Sequence, residues 1–167
     1  MKNLSLIIFV LFVSVNFSVL LSQNKIDFTA EKINGEEIHF KEINKKGPVL
    51  ISFWALWCKP CRAELKHIQN IYQKYNEQGF SVLAINQDSP RSVAKVKSYI
   101  SSHGFTFPVV TDLDQELFQQ FNGQSIPLTI LIDKNGFIHS QHIGYLPGDE
   151  IKLEKEIKQL LDVKNEN

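Results

Sequence analysis

Two kinds of apolar pattern alternate along this chain, and their order predicts its architecture. Short, nearly continuous apolar runs at residues 49–53, 80–86 and 128–132 mark strands buried on both faces. Longer segments repeat apolar residues every three or four positions, the mark of a helix with one buried side. Leu65, Ile68, Ile71, Tyr72 and Tyr75 trace such a stripe in a helix that begins at about Lys59 and ends before Gly79. Val93, Val96 and Ile100 trace a second, begun by Ser89 as N-cap and Pro90 as first helical residue, and stopped at His103-Gly104. Leu117, Phe118 and Phe121 give a third helix over 114–121. Leu153, Ile157, Leu160 and Leu161 give a last one, capped by Asp149.

Turn residues punctuate these elements. Asn34-Gly35 joins predicted strands at 26–32 and 37–40, and Asp133-Lys134-Asn135-Gly136 joins 128–132 to 137–143. A short strand is expected at 107–110. The order is a strand pair, βαβαβα, then a β-hairpin and a closing helix. Strand–helix alternation predicts parallel central strands with helices on both faces, and the closing hairpin adds antiparallel strands, so the sheet is mixed.

Composition narrows the class. The 167 residues are 43% hydrophobic and 22% charged, which suits one globular domain with a sizeable core. Lys+Arg and Asp+Glu are both 18, and this balance argues against nucleic acid as a partner, since phosphate binding needs a basic excess. Residues 1–23 differ from the rest. Lys2 precedes an apolar run that continues to Leu21 with Ser14, Asn16 and Ser18 interspersed, and no further charge appears until Lys25. This predicts a signal peptide cleaved near Ser22 or Gln23, or an uncleaved membrane anchor, ahead of one domain over 24–167. A lipoprotein would need a cysteine at the cleavage point, and none is there. The domain is therefore expected outside the cytoplasm.

The only cysteines are Cys58 and Cys61, in Trp57-Cys58-Lys59-Pro60-Cys61, at the junction of the buried strand and the helix. Two thiols one helical turn apart can close and reopen a disulfide within one chain. Cys58 is expected at the helix N-terminus, where unpaired N–H groups and the helix dipole favour a thiolate. Lys59 adds positive charge beside it, and Pro60 suits a first turn that needs no N–H from it. Cys61, a turn deeper, suits the resolving role. Trp54 and Trp57 are expected to cover the site. A zinc site would need two further ligands, and the five histidines show no convincing metal-ligand spacing, although His139 and His142 could lie near each other on one strand. A structural bridge usually closes a longer loop.

The segment Phe53-Trp54-Ala55-Leu56-Trp57-Cys58-Lys59-Pro60-Cys61-Arg62-Ala63-Glu64 resembles the active site of thioredoxin-like proteins. The N-terminal hairpin, the inserted strand–helix region and the signal resemble the extracytoplasmic TlpA/ResA-like branch, over nearly the whole chain from Ile26. The resemblance implies a three-layer thioredoxin-like fold, a mixed central sheet flanked by helices. It implies that Pro127, in Ser125-Ile126-Pro127, follows a cis peptide bond and faces the dithiol, leaving the Ile126 backbone to pair with substrate. Trp57, Lys59 and Pro60 join Ile126 as the expected substrate-binding set, and Cys58, Cys61, Pro127 and Glu64 as the catalytic set. An acid at Glu64 belongs to the active site in that branch and influences thiol pKa or substrate choice; a solvated glutamate in an early helical turn is the other reading. Arg62 and Lys66 are read as solvated surface. The sequence departs from cytoplasmic thioredoxins at Ser52, where they carry a buried aspartate, so Glu64 or water is left to deprotonate Cys61.

The expected function is an extracytoplasmic protein disulfide oxidoreductase that reduces disulfides in secreted or membrane-linked partners, apocytochrome c among them. Electrons would come from a membrane thiol donor, since no dinucleotide fingerprint is present. Neither cofactor nor metal is implied, and a monomer is expected. A disulfide oxidase or isomerase is the alternative. A peroxiredoxin would need a peroxidatic cysteine in a Pro/Thr-bearing loop. A copper chaperone would need a histidine near the dithiol, for which His142 is the nearest candidate.

Overall fold

A computed structural model describes residues 25–165, so the segment read as signal or anchor lies outside the described residues. The central sheet has five strands in the order β5-β4-β3-β6-β7. They are β3 (Val49–Trp54), β4 (Ser81–Asn86), β5 (Val109–Thr111), β6 (Leu128–Ile132) and β7 (Ile138–Ile143). β3 runs parallel to β4 and β4 to β5, whereas β6 runs antiparallel to both β3 and β7. The sheet is mixed in the predicted way. A separate antiparallel pair, β1 (Thr29–Glu31) and β2 (Glu37–His39), precedes it.

Every residue of β3 is buried because both of its faces are covered. Val49, Ile51 and Phe53 point into one core with Leu83, Ile85, Leu128, Ile130 and Ile132. Phe40 of α1 (Phe40–Asn44), Leu117 and Phe118 of α4 (Glu116–Gln120), and Phe28 from the N-terminal segment close that side. Leu50 and Trp54 point into the other core with Val82, Ala84 and Leu131. There they meet α2 (Lys59–Tyr75), α3 (Val93–His103) and α5 (Asp149–Asn165) through Leu65, Ile68, Val96, Leu153 and Ile157. Period-2 alternation thus divides one apolar run between two cores.

Helix α1 was not predicted. Phe40 reads as the end of a strand, and five residues are too few to show a helical period. Phe40 turns inward to stack on Phe28 at 5.1 Å. Buried Asn44 at the end of α1 donates to the carbonyls of Gly47 and Asp133 (3.1 and 2.8 Å), tying the helix to the β6–β7 turn. α4 is shorter than expected, and its amides are held by Asp112, whose carboxylate accepts from Leu117 and Phe118 (3.1 and 2.9 Å). Asp149 opens α5 but accepts from the Leu146 amide of the preceding loop (2.8 Å). Ser89 opens a 3₁₀ turn at Pro90–Ser92 ahead of α3, with no side-chain cap bond.

Candidate active site

The parallel strands β3 and β4 deliver their C-terminal ends to one edge of the domain. Chain leaving β3 turns at once into α2, and Cys58 is the N-cap of that helix, in extended conformation. Cys58 and Cys61 form a disulfide with their Cα atoms 5.3 Å apart. The Cys61 amide donates to Cys58 Sγ at 3.2 Å. The sulfur therefore occupies the place a serine or aspartate oxygen takes at other helix starts, and one orphan donor of the helix is already aimed at it. Pro60 lies in the first turn, as predicted. Cys61 is fully buried and Cys58 is 5% exposed, so the first cysteine is the more accessible residue of the pair.

The two tryptophans divide. Trp57 is 71% exposed beside the dithiol. Trp54 does not cover the site. It is fully buried, with its ring 5.8 Å from that of Tyr99, because its place in β3 points it into the core. Lys59 and Pro60 are exposed. Arg62 is not plain solvated surface, since its Nε is buried without a protein partner, while Lys66 is exposed.

The Ile126–Pro127 peptide is cis. Pro127 is buried and Ile126 half-buried. The next residue, Leu128, pairs with Phe53, so strand pairing brings Pro127 to the edge where β3 hands over to the cysteine turn. The Pro127 carbonyl accepts from the Gly144 amide at 2.8 Å.

Glu64 is buried, 5% exposed, and not a solvated side chain. Thr129 Oγ1 donates to its Oε1 at 2.8 Å, while its Oε2 has no protein partner. Burial pushes its carboxyl up to about 7, against the Thr129 hydrogen bond and with a push from Asp149. Thr129 pairs across the strands with Ser52, and the two lie on the same face of the sheet. Position 52 offers no carboxyl, but α2 supplies one to that face from Glu64. Glu64 also lines a cavity of ≈ 250 Å³, with His67, Thr129, His142, Tyr145 and Asp149 among its walls. His142 pairs with Thr129 across β6 and β7, whereas His139 falls at the register irregularity between Ile138 and Ser140. Among the described residues, no group of three His, Cys, Asp or Glu is placed to hold a metal.

Thr129 was missed in the sequence. The available signal was its position as the one polar residue in an otherwise apolar strand, Leu128–Ile132. Among the described residues, buried side-chain atoms without a protein partner fall on Ser52, Trp54, Arg62, Glu64 and Gln87. They lie on the strand that leads into the dithiol, on the helix that carries it, and just beyond the neighbouring strand β4. A buried dithiol at a helix N-terminus, with a protonatable carboxyl one turn on, can exchange disulfides and move a proton.

Known proteins bear out the disulfide exchange. The AhpC/TSA family model matches residues 21–141. The chain is 32% identical over 122 residues to the thiol-disulfide oxidoreductase ResA of Halalkalibacterium halodurans, covering 73% of this chain and 68% of that one. It is 32% identical over 130 residues to ResA of Geobacillus kaustophilus, covering 78% and 73%. Among solved structures, a protein assigned as the thiol:disulfide interchange protein DsbE from Chlorobium tepidum superposes with a TM-score of 0.75 at 28% identity, over 84% of this chain and 99% of that one. StoA from Bacillus subtilis gives 0.63 at 26%, over 80% and 98%. The chain belongs to the AhpC/TSA family and is a thioredoxin-like thiol–disulfide oxidoreductase whose redox pair is Cys58 and Cys61.

Proposed function

We propose that the protein is exported and reduces disulfides in secreted or membrane-linked partners, apocytochrome c being the candidate substrate. The observation that carries the mechanism is Cys58 Sγ at the N-terminus of α2, accepting the Cys61 amide. In the reduced protein the same donor and the helix dipole favour the Cys58 thiolate. That thiolate attacks one sulfur of the partner disulfide, forms a mixed disulfide and releases the other sulfur as a thiolate. Cys61, deprotonated, then attacks Cys58 Sγ, frees the second partner thiol and leaves the Cys58–Cys61 disulfide. Glu64 is the acceptor for the Cys61 proton. The two residues are three apart on one helix and share a face, and a carboxyl pushed up to about 7 can take and return a proton near neutrality.

Exposed Trp57, Lys59 and Pro60 form the rim against which the partner rests, and the Ile126 backbone pairs with its extended segment. Pro127 backs the dithiol without an N–H to compete for the thiolate. Residues 1–23 act as the signal or anchor, and a membrane thiol donor returns the two electrons by the same exchange run backwards. The names of the similar proteins, thiol-disulfide oxidoreductase and thiol:disulfide interchange protein, support thiol–disulfide exchange with partners.

The reduction potential of the Cys58–Cys61 couple, measured in glutathione and dithiothreitol buffers, tests the reducing direction. A value near that of thioredoxin, roughly −270 mV or lower, is expected. A value toward about −120 mV would make the protein an oxidant and overturn the reducing role in favour of disulfide formation.

A further inference from the structure

The turn that carries the nucleophile is short and held at several points. Ala55-Leu56-Trp57-Cys58 closes on itself, the Cys58 amide donating to the Ala55 carbonyl at 3.1 Å. The Trp54 carbonyl just before it accepts from the Gln87 amide at 2.8 Å. Leu56 occupies the second position of this turn, where a backbone N–H has no partner within the turn itself. Its partner comes from the residues that follow β4. Asp88 Oδ2 accepts from the Leu56 amide at 2.7 Å.

Asp88 is itself held. The same Oδ2 accepts from Asn86 Nδ2 at 2.9 Å, and the Asp88 amide donates back to Asn86 Oδ1 at 3.1 Å. Asn86 is the last residue of β4 and is paired with Trp54. Both Asn86 and Asp88 are buried, 1% and 6% exposed. The carboxylate therefore sits on a rigid strand end, reaches across to the neighbouring strand's exit, and fixes a turn two residues before Cys58.

We propose that Asp88 is a positioning residue for the nucleophile. Its carboxylate fixes the Leu56 amide, and its buried negative charge holds the Cys58 thiol less acidic than the helix N-terminus alone would make it. The distance supports the electrostatic part. Two residues span at most about 7 Å, so the carboxylate lies within about 10 Å of the Cys58 backbone. A unit charge at that range, incompletely screened beneath a turn, shifts a titration by about one pK unit or less. Other ionisable groups on the elements around the turn include Lys59, Arg62, Glu64, Lys66 and His67 on α2, Arg91 in the 3₁₀ turn, Lys95, Lys97 and Tyr99 on α3, and Asp112 just after β5. All are the same in the proteins to be compared, so a difference reports Asp88.

Asparagine at position 88 keeps an oxygen for both the Leu56 amide and Asn86 Nδ2 and removes the charge. Alanine removes both. The test is the rate of alkylation of Cys58 against pH in the reduced protein, read peptide by peptide in wild type, Asp88→Asn and Asp88→Ala. Amide exchange at Leu56 is followed alongside. Asp88→Asn is expected to move the Cys58 midpoint down by roughly half to one unit with Leu56 protection retained. Asp88→Ala is expected to lose that protection by about tenfold or more and to slow disulfide exchange, with the asparagine variant restoring the rate. If the alanine variant does not fold, the asparagine midpoint decides the matter. The inference rests on Cys58 being the attacking thiol, which the wild-type profile tests by itself. Cys61 reacting faster there overturns the attacking role, whereas equal Cys58 midpoints in wild type and Asp88→Asn overturn the role of Asp88 alone.

Discussion

Replacing Cys58 with serine is expected to reduce thiol–disulfide exchange to background, a loss on the order of 10³-fold or more, while the fold survives. Serine is a favoured N-cap, and its hydroxyl can accept the Cys61 amide that now bonds Cys58 Sγ. The variant loses the disulfide, but that bridge closes a sequence separation of only 3, so the chain-entropy cost is about 2 kcal/mol. Cys61→Ser should behave differently. Attack by Cys58 still occurs, resolution does not, and the mixed disulfide accumulates. Non-reducing electrophoresis with a disulfide-bonded model partner reads both. A Cys61→Ser protein that forms no adduct, beside a Cys58→Ser protein that does, would reverse the two roles and sink the mechanism.

The elements that announced themselves in the sequence are those whose period is long or whose burial is complete. β3, β4 and β6 are apolar runs because helices cover both sheet faces, and α2 shows its stripe because 17 residues give nearly five turns. α1 stayed hidden because five residues carry no period, and its place is set by Phe40 meeting Phe28 across the sequence. The dithiol was legible because its chemistry is local, two cysteines at a strand–helix junction. What surrounds it was not. Glu64 could be read as solvated or buried until β6 brought Thr129 against it, a contact 65 residues away. Asp88 gave no sign of its bond to Leu56, because that contact exists only once β3 and β4 lie side by side. Trp54 and Trp57 show the same limit within one motif. Three residues apart, one is core and the other surface, and the difference is made where the strand ends.

Glu64→Gln should stabilise the oxidised protein at neutral pH and leave it nearly unchanged in acid. The sign follows from burial. The folded carboxyl titrates at about 7 against 4.5 for the exposed group, so the folded state binds this proton more tightly than the unfolded chain. Stability from this group is fully present below about pH 4.5 and is lost as pH rises through about 7. A rise of that size corresponds to a loss on the order of 3 kcal/mol by pH 8. Glutamine keeps an acceptor for Thr129 Oγ1 and ends in a neutral amide where Oε2 now carries the charge unpartnered. The stability difference between variant and wild type, from urea unfolding at intervals from pH 4 to 8, should therefore be near zero in acid and grow through neutrality. Carboxylates that are lowered in the fold, such as Glu150 and Glu154, are common to both proteins and cancel. In the same variant, the proposed proton-acceptor role of Glu64 predicts that resolution by Cys61 slows most near neutral pH. A stability difference that does not change with pH would show that Glu64 titrates like an exposed carboxylate, and its place as the proton acceptor would fall with it.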